Sequence, residues 1–237
     1  MARTSYDMHC AVAKALEVLG ERWTLLVVRE LLTGPKRYAD LRAGLPGIAT
    51  NMLTDRLRSL QAADVVTRRE LPAPAASVVY ELTERGRELK PVLLAMAAWG
   101  QPLLGRLQPG AQFRLAWLMV ALDGAYDPAA VPDPLTLTVT VDGEQLTITA
   151  HGARHEVRDG PPADGGPADG GPGTLISVRA DGSTFLDWAT GLVSDAAAAR
   201  AGLHVDPGDG LAVLRRMYRI GQDTPGVAAV VPPPSGH

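Results

Sequence analysis

The chain has 237 residues, of which 46% are hydrophobic, and a formal net charge of −3; this is enough for one large domain or two ordinary ones, each with a packed core. No apolar run approaches the roughly 20 residues of a membrane helix, and the opening Met-Ala-Arg-Thr-Ser-Tyr-Asp has no apolar leader region, so no membrane span is expected and the cytoplasm is the expected location. The single Cys10 excludes an intrachain disulfide framework and agrees with a reducing compartment.

The charge is uneven along the chain. Residues 1–110 hold 15 Lys/Arg against 11 Asp/Glu, a balance of +4, and residues 111–237 hold 8 against 15, a balance of −7. The first half suits a polyanion and the second would be repelled by one, so two domains with different partners are expected.

In chain order, Val12, Leu16, Leu19 and Trp23 share one helical face, interrupted at Gly20-Glu21. A helix from Trp23 to about Leu32 is stopped by Gly34-Pro35. Tyr38 to Ala43 reads as a short helix, Gly44-Leu45-Pro46-Gly47 as a turn, and Thr50 to about Ala63 as the next helix. With each residue advancing about 100°, Leu53, Leu57 and Leu60 face inward and Asn51, Thr54, Asp55 and Arg58 outward. Val65 to Glu70 and Ser77 to Leu82 read as strands around a stiff Pro72-Ala73-Pro74-Ala75-Ala76 loop. Thr83 can cap a helix running towards Trp99, kinked at Pro91, with Leu89, Val92, Leu93 and Met96 as its apolar stripe. No charged side chain occurs from Pro91 to Leu104. A helix apolar nearly all round must be covered on several sides, and a second copy of the chain is the simplest cover.

Helix, turn, helix and hairpin in this order make a winged helix–turn–helix, whose helix from Thr50 can enter a major groove with its N-terminal turn first. Asn51 and Thr54 carry short hydrogen-bonding side chains suited to base edges, and Arg58 lies further along that face, where phosphate is within reach. Lys36, Arg37 and Tyr38 stand at the start of the preceding helix, where backbone N–H groups favour phosphate. Arg68 and Arg69 at the hairpin can reach a backbone or a minor groove. Arg56 lies on the flank of the inner face, about 60° from Leu53. Two roles are open to it: an ion pair tying helix to hairpin, or a DNA contact.

Cys10, the W-T-L-L run at Trp23, G-P-K-R-Y-A-D-L-R at Gly34, L-x-x-R-L-R-x-L from Leu53 to Leu60, V-V-Y-E-L-T-E-R-G from Val78 and the helix ending at Trp99-Gly100 resemble the HxlR family of bacterial transcription regulators over roughly residues 8–100. The chain departs from the family pattern at Ala11, where Pro is usual after the cysteine. It departs again at Ala49, where Ser usually opens the recognition helix, and at Asp64, where Gly usually precedes the wing. With Ala49 there, Thr50 is expected to take over the cap. The resemblance implies a homodimer joined through terminal helices on a pseudo-palindromic double-stranded operator. It also implies, for some members, a thiol sensor near the position of Cys10. Such a thiol needs exposure and nearby cations or a helix N-terminus; Cys10 is near His9 and Lys14 at a helix start. The alternative is a small residue packed under the first helix.

In the acidic half, Leu135, Leu137, Val139 and Val141 alternate with Thr136, Thr138 and Thr140, Asp142-Gly143 makes a two-residue hairpin turn, and Leu146, Ile148 and Ala150 alternate with Thr147 and Thr149. Pairing Val141 with Glu144 sets Leu137 opposite Ile148 and Thr138 opposite Thr147. Residues 160–173 repeat P-A-D-G-G in a mobile low-complexity loop. Thr174 to Ala180 is a strand, and Ser183 to Val193 a helix with Phe185, Trp188, Ala189 and Leu192 inward. Asp195 to Ala201 is a short helix ended by Gly202, and Leu211, Leu214 and Tyr218 mark a last helix. S-T-F-L-D-W-A-T-G at 183–191 and G-L-H-V-D-P-G-D-G-L-A-V-L-R at 202–215 resemble the end of the sterol carrier protein type-two fold. That resemblance implies a cavity for a small apolar effector, lined by Trp117, Met119, Phe185 and Trp188; the alternative for each residue is ordinary core. His151, His155 and Glu156 suggest a metal only if helical; along a strand the two rings stand roughly 13 Å apart. No metal, no cofactor and no catalytic set is expected.

The expected fold class is α+β. Residues 1–104 form a winged helix–turn–helix DNA-binding and dimerisation domain, 111–223 a sterol-carrier-like effector domain and 224–237 a disordered tail. The expected function is a DNA-binding transcription regulator, a dimeric repressor. The alternatives are a thiol-based sensor acting through Cys10 and, in another class, a lipid carrier or small hydrolase whose winged helix mediates protein contacts.

Overall fold

The computed structural model describes residues 5–72, 76–100, 103, 113–117, 126–127, 129, 131, 134–152, 154–161 and 174–217. The chain divides into two compact units, residues 1–95 with 116–120 and residues 96–115 with 121–237. No helix among the described residues is long and apolar enough to cross a membrane.

The first unit opens with α1 (Ala11–Leu19), which Gly20 ends. Only Ala13 of α1 is buried; Val12 and Leu16, on the shared apolar face, are exposed. Trp23 takes the left-handed conformation (φ 77°), turning the chain into α2 (Thr24–Leu32), where Val27, Val28 and Leu31 are buried. Lys36 and Arg37 then form β1 instead of the first residues of a helix, and α3 (Tyr38–Ala43) follows directly. After the turn at Gly47 (φ 83°) comes α4 (Thr50–Ala62). Its Leu53, Leu57 and Leu60 join Val27, Val28, Leu31, Leu41 and Leu45 in one core, as the helical spacing requires.

Asp64, at the place where the family pattern has Gly, takes φ 57° and leads into β2 (Val66–Glu70). A short polar side chain tolerates this left-handed geometry better than most, which explains why the departure from Gly is accommodated. β3 (Val78–Leu82) returns antiparallel to β2, and β1 pairs with its other edge, giving the order β1-β3-β2. Residues 73–75 of the intervening loop lie outside the described residues.

Thr83 caps as expected, its Oγ1 accepting from Gly86 N–H at 3.0 Å. The helix it starts does not run on to Trp99. It stops as α5 (Glu84–Arg87), and α6 (Lys90–Gly100) begins after a break at Glu88-Leu89. Pro91 lacks the N–H that would bond the Arg87 carbonyl, and its ring crowds the preceding turn. Leu93 of α6 is buried in the core, whereas Val92, Met96 and Trp99 are exposed, Trp99 at 68%. A further piece of the unit is Trp117. Its indole N–H donates to Glu30 at 3.0 Å, and the Arg29 guanidinium lies 4.8 Å from its ring centre. Glu30, only 2% exposed, also pairs with Arg29 at 2.7 Å, so a carboxylate that would be costly to bury alone has a cation and an indole donor.

The second unit is built on a five-stranded sheet of order β6-β5-β4-β7-β8: β4 (Leu135–Val141), β5 (Glu144–His151), β6 (Arg154–Asp159), β7 (Thr174–Ala180) and β8 (His204–Asp206). The β4–β5 register is the expected one, Val141 opposite Glu144, Leu137 opposite Ile148 and Thr138 opposite Thr147. Asp142 (φ 50°) and Gly143 (φ 82°) supply the two positive angles a tight hairpin needs. One face carries Leu137, Val139, Ile148, Ile176 and Val178, all buried. Around the sheet come α7 (Gly182–Ala189), α8 (Asp195–Arg200) and α9 (Gly210–Met217).

Two expectations change in this unit. The helix expected to reach Val193 ends at Ala189 because Gly191 turns the chain (φ 76°), and Leu192 is exposed rather than inward. His151 and His155 do not lie along one strand, since the chain turns at Gly152 (φ 53°). His155 is paired opposite Ala150 while His151 faces Arg154, which puts the two rings on opposite faces of the sheet. Phe185 and Trp188 are buried, as expected of the inward face of their helix, with Trp188 Nε1 donating to Asp195 at 2.7 Å. Tyr218, Met119, the 224–237 tail and most of the 160–173 low-complexity loop lie outside the described residues.

Candidate nucleic-acid interface

The outer face of α4 presents Asn51, Thr54 and Arg58, while its inner leucines fix the helix to the core. The helix begins at Thr50 and its cap is Ala49, which offers no side-chain bond; Thr50 therefore does not take over capping. One of the four orphan N–H groups at the start is met by Asn51, whose Oδ1 accepts from Met52 N–H at 2.9 Å. That bond engages the Asn51 amide oxygen, so both Nδ2 hydrogens can donate outward.

Tyr38 is not poised for phosphate. Its hydroxyl donates to the Thr50 carbonyl at 2.8 Å and lies 3.3 Å from Thr54 Oγ1. Thr54 Oγ1 is also 3.0 Å from the Thr50 carbonyl. Tyr38 thus braces the first turn of α4 from α3. Thr54, half-buried, has its hydroxyl drawn into this brace, leaving oxygen lone pairs rather than a proton for an incoming group.

Lys36 and Arg37 stand in β1, and Arg37 is at the same time the N-cap of α3. The Arg37 N–H is taken by Asp40 Oδ2 at 3.1 Å, so it is not an open phosphate donor. Their side chains become part of two rows across the three-stranded sheet. Arg37 and Arg69 flank Val79 on one face, and Lys36 and Arg68 flank Tyr80 on the other. Adjacent strand residues project to opposite faces, so Arg68 and Arg69 do not serve one surface together. Arg68 contacts Glu70 at 3.2 Å. Arg69 is held more firmly, with Nε to Glu81 Oε1 at 2.9 Å and Nη2 to Oε2 at 3.0 Å; these bonds push its pKa above the ordinary arginine value.

Arg56 is an internal residue. It is buried and pairs with Glu21 at 3.3 Å, in the turn between α1 and α2. The ion-pair role holds, but the partner is that turn and not the hairpin. Cys10 is exposed at the N-cap of α1 rather than packed beneath it; the nearby Lys14 ammonium is engaged with Glu17 at 2.8 Å. Of the expected effector-lining residues, Trp117 belongs to the first unit and Phe185 and Trp188 to the second. Glu81, Glu21 and the Glu30–Trp117 contact had no local signal in the sequence, because each acts across 12 to 87 positions.

A rigid recognition helix with an open polar face, a helix braced beneath it and a hairpin with basic side chains define the winged helix–turn–helix class of DNA-binding protein. The family model described as HxlR-like helix-turn-helix matches residues 18–108. The HTH-type transcriptional regulator sll1512 of Synechocystis sp. is 40% identical over 95 residues, covering 40% of this chain and 70% of that protein. The HTH-type transcriptional regulator YodB of Bacillus subtilis is 39% identical over 85 residues, covering 36% of this chain and 76% of that one. The solved structure of the reduced form of YodB covers 41% of this chain and 97% of its own at 35% identity, with a TM-score of 0.37. The chain belongs to the HxlR-like helix-turn-helix family and is a DNA-binding transcription regulator.

Proposed function

We propose that the chain is a homodimeric repressor that sets two copies of α4 into successive major grooves of a pseudo-palindromic operator, about 34 Å apart. The observation that carries this is the outer face of α4, with Asn51 as a donor and Thr54 as an acceptor at base edges and Arg58 exposed one turn later. Arg37 from β1, on the sheet face it shares with Arg69 of the wing, supplies phosphate contact beside it. Dimerisation is supported by the uncovered apolar side chains of α1 (Val12, Leu16) and α6 (Val92, Met96, Trp99), which a soluble monomer would not expose without cause.

In this reading residues 1–104 bind DNA and dimerise. Residues 111–223 form an effector domain of the sterol-carrier type, supported by the open sheet and by β8 leading through Gly208-Asp209 into α9. A small apolar effector would favour a dimer whose recognition helices no longer match successive grooves. The protein acts by binding, in the cytoplasm. The test is a selection of genomic DNA by the purified chain, with and without cell extract. Selected duplexes should bind less tightly as salt rises; a flat salt response, or failure to select DNA, refutes the reading and favours a carrier whose winged helix meets protein.

The exposure of Cys10 supports a second reading, in which oxidant is the input. Two Cys10 thiols of a dimer would give up two protons and two electrons to the oxidant and form one intermolecular disulfide. Oxidant should then change the operator affinity of the wild type and not of Cys10→Ser; an equal response in both removes this reading.

A further inference from the structure

The sheet row Arg37–Val79–Arg69 places two guanidinium groups on one face, but they differ in their surroundings. Val79 between them is buried, so the row is fixed in place by packing. Arg69 is gripped by both oxygens of Glu81, a fork-to-fork geometry that holds the guanidinium far better than a single-point contact. Glu81 lies diagonally across the β2–β3 ladder from Arg69, opposite Thr67, so the pair is built by strand register and not by chance meeting of two long side chains. Glu70, the other acid of the wing, touches Arg68 at one atom pair and is itself mostly exposed.

We propose that Glu81 limits the affinity of this regulator for DNA: by pairing with Arg69 it cancels one of the two cations on that sheet face, so the wing meets the phosphate backbone with less charge than its sequence carries. This rests on the DNA-binding reading and adds to it. Two of the five guanidinium N–H bonds are spent on Glu81, and the outer edge still offers donors. What is lost is net charge, and it is net charge that displaces counterions from the duplex. Sequence-independent grip is thereby held down, which leaves a larger share of binding to the base-reading face of α4.

The proposal makes a ladder of charge at one site: Arg69→Gln leaves −1, the wild type 0, Glu81→Gln leaves +1 and the double variant 0. Binding to a mixed-sequence duplex is measured by fluorescence anisotropy over a range of salt. Glu81→Gln is expected to steepen the log–log salt slope by about 0.9 and to bind roughly fivefold tighter near 0.15 M salt. The double variant should return to the wild-type slope, and Arg69→Gln should fall below it. Glu156→Gln, which changes net charge equally on β6, should leave the slope where it was. Thermal unfolding of each variant confirms that it is folded before titration. Equal slopes for Glu81→Gln and wild type, weaker binding by Glu81→Gln, or a double variant that tracks Arg69→Gln overturns the proposal while leaving the regulator reading intact. Absence of duplex binding by every variant overturns both.

Discussion

Replacing Gly86 by Ala sets two effects against each other, and the structure decides between them. Gly86 lies in α5, where Ala is favoured over Gly by about 1 kcal/mol of helix propensity, with roughly 0.4–1 kcal/mol more from the stiffer unfolded chain. By those terms alone the substitution would stabilise. A Cβ at this position, however, would stand 2.1 Å from the Val65 carbonyl oxygen and 3.1 Å from Leu82 Cδ2. The first contact is with backbone, so no side-chain rotation relieves it. α5 would have to move away from the start of β2 by more than roughly 1 Å to restore ordinary contact. That motion pulls on the bonds joining the same two segments, Thr83 N–H to the Val65 carbonyl at 3.1 Å and Thr83 Oγ1 to the Asp64 carbonyl at 2.7 Å. Overpacking of about 1–3 kcal/mol together with roughly 0.5–1.5 kcal/mol for each weakened bond outweighs the propensity gain. A net loss of about 2 kcal/mol is expected for Gly86→Ala. The assay is urea unfolding followed by hydrogen exchange of the β2 and β3 amides, where the midpoint should fall by about 1 M. A midpoint equal to or above the wild type would refute the reasoning, for it would mean that α5 is not pressed against Val65.

Three further outcomes are expected. Arg56→Met should be neutral or stabilising in unfolding experiments, because a buried ion pair with an exposed Glu21 as partner gives way to apolar contact, and its DNA salt slope should match the wild type; a shallower slope would make Arg56 a phosphate ligand. Leu57→Ala, which empties a buried position on the inner face of α4, should cost about 2–5 kcal/mol, seen as a large drop in the unfolding midpoint of the first unit; a cost under about 1 kcal/mol would argue against that core. Asp181 caps α7 by accepting from Thr184 N–H at 2.9 Å, and that bond, with those from the Thr184 and Ser183 hydroxyls, lowers its pKa to about 2 from 3.8. A depressed acid contributes stability above its unfolded pKa and loses it as pH falls through the folded one, so Asp181→Ala should melt below wild type near neutral pH and the gap should close between about pH 4 and pH 2. A gap that persists at the acid end would show that the carboxylate is not what holds the cap.

The parts of this fold that are legible in the sequence have a period. Leu53, Leu57 and Leu60 recur at helical spacing, and the inner face of α4 follows from that alone. The β4–β5 register follows from alternation on both sides of Asp142-Gly143, because slipping by one residue would turn every leucine and valine to the wrong face. What escapes the reading has no period. A strand of two residues, Lys36-Arg37, leaves no alternation to detect, yet it changes which surface each of those cations occupies. Arg56 is legible as an ambiguous flank residue, but its partner Glu21 lies in a turn whose path depends on the left-handed Trp23. His151 and His155 read as one strand because Gly152 alone does not announce a reversal. At the interface, the positions of Asn51, Thr54 and Arg58 are readable from the helical wheel, whereas the hydrogen bonds that decide whether each can donate or accept are not. Tyr38 and Glu81 act through contacts made only after the chain has folded.

The family match ends at residue 108, yet the indole that satisfies Glu30 comes from Trp117. The natural seam in the sequence is therefore not the seam in space. An interior carboxylate of the helix–turn–helix is met by an indole that lies nine residues beyond the family match. A chain cut where that match ends would keep the Arg29 partner of Glu30 but leave the buried anion short of one donor. The boundary at which the recognition module can be excised intact therefore lies past Trp117, not at residue 108.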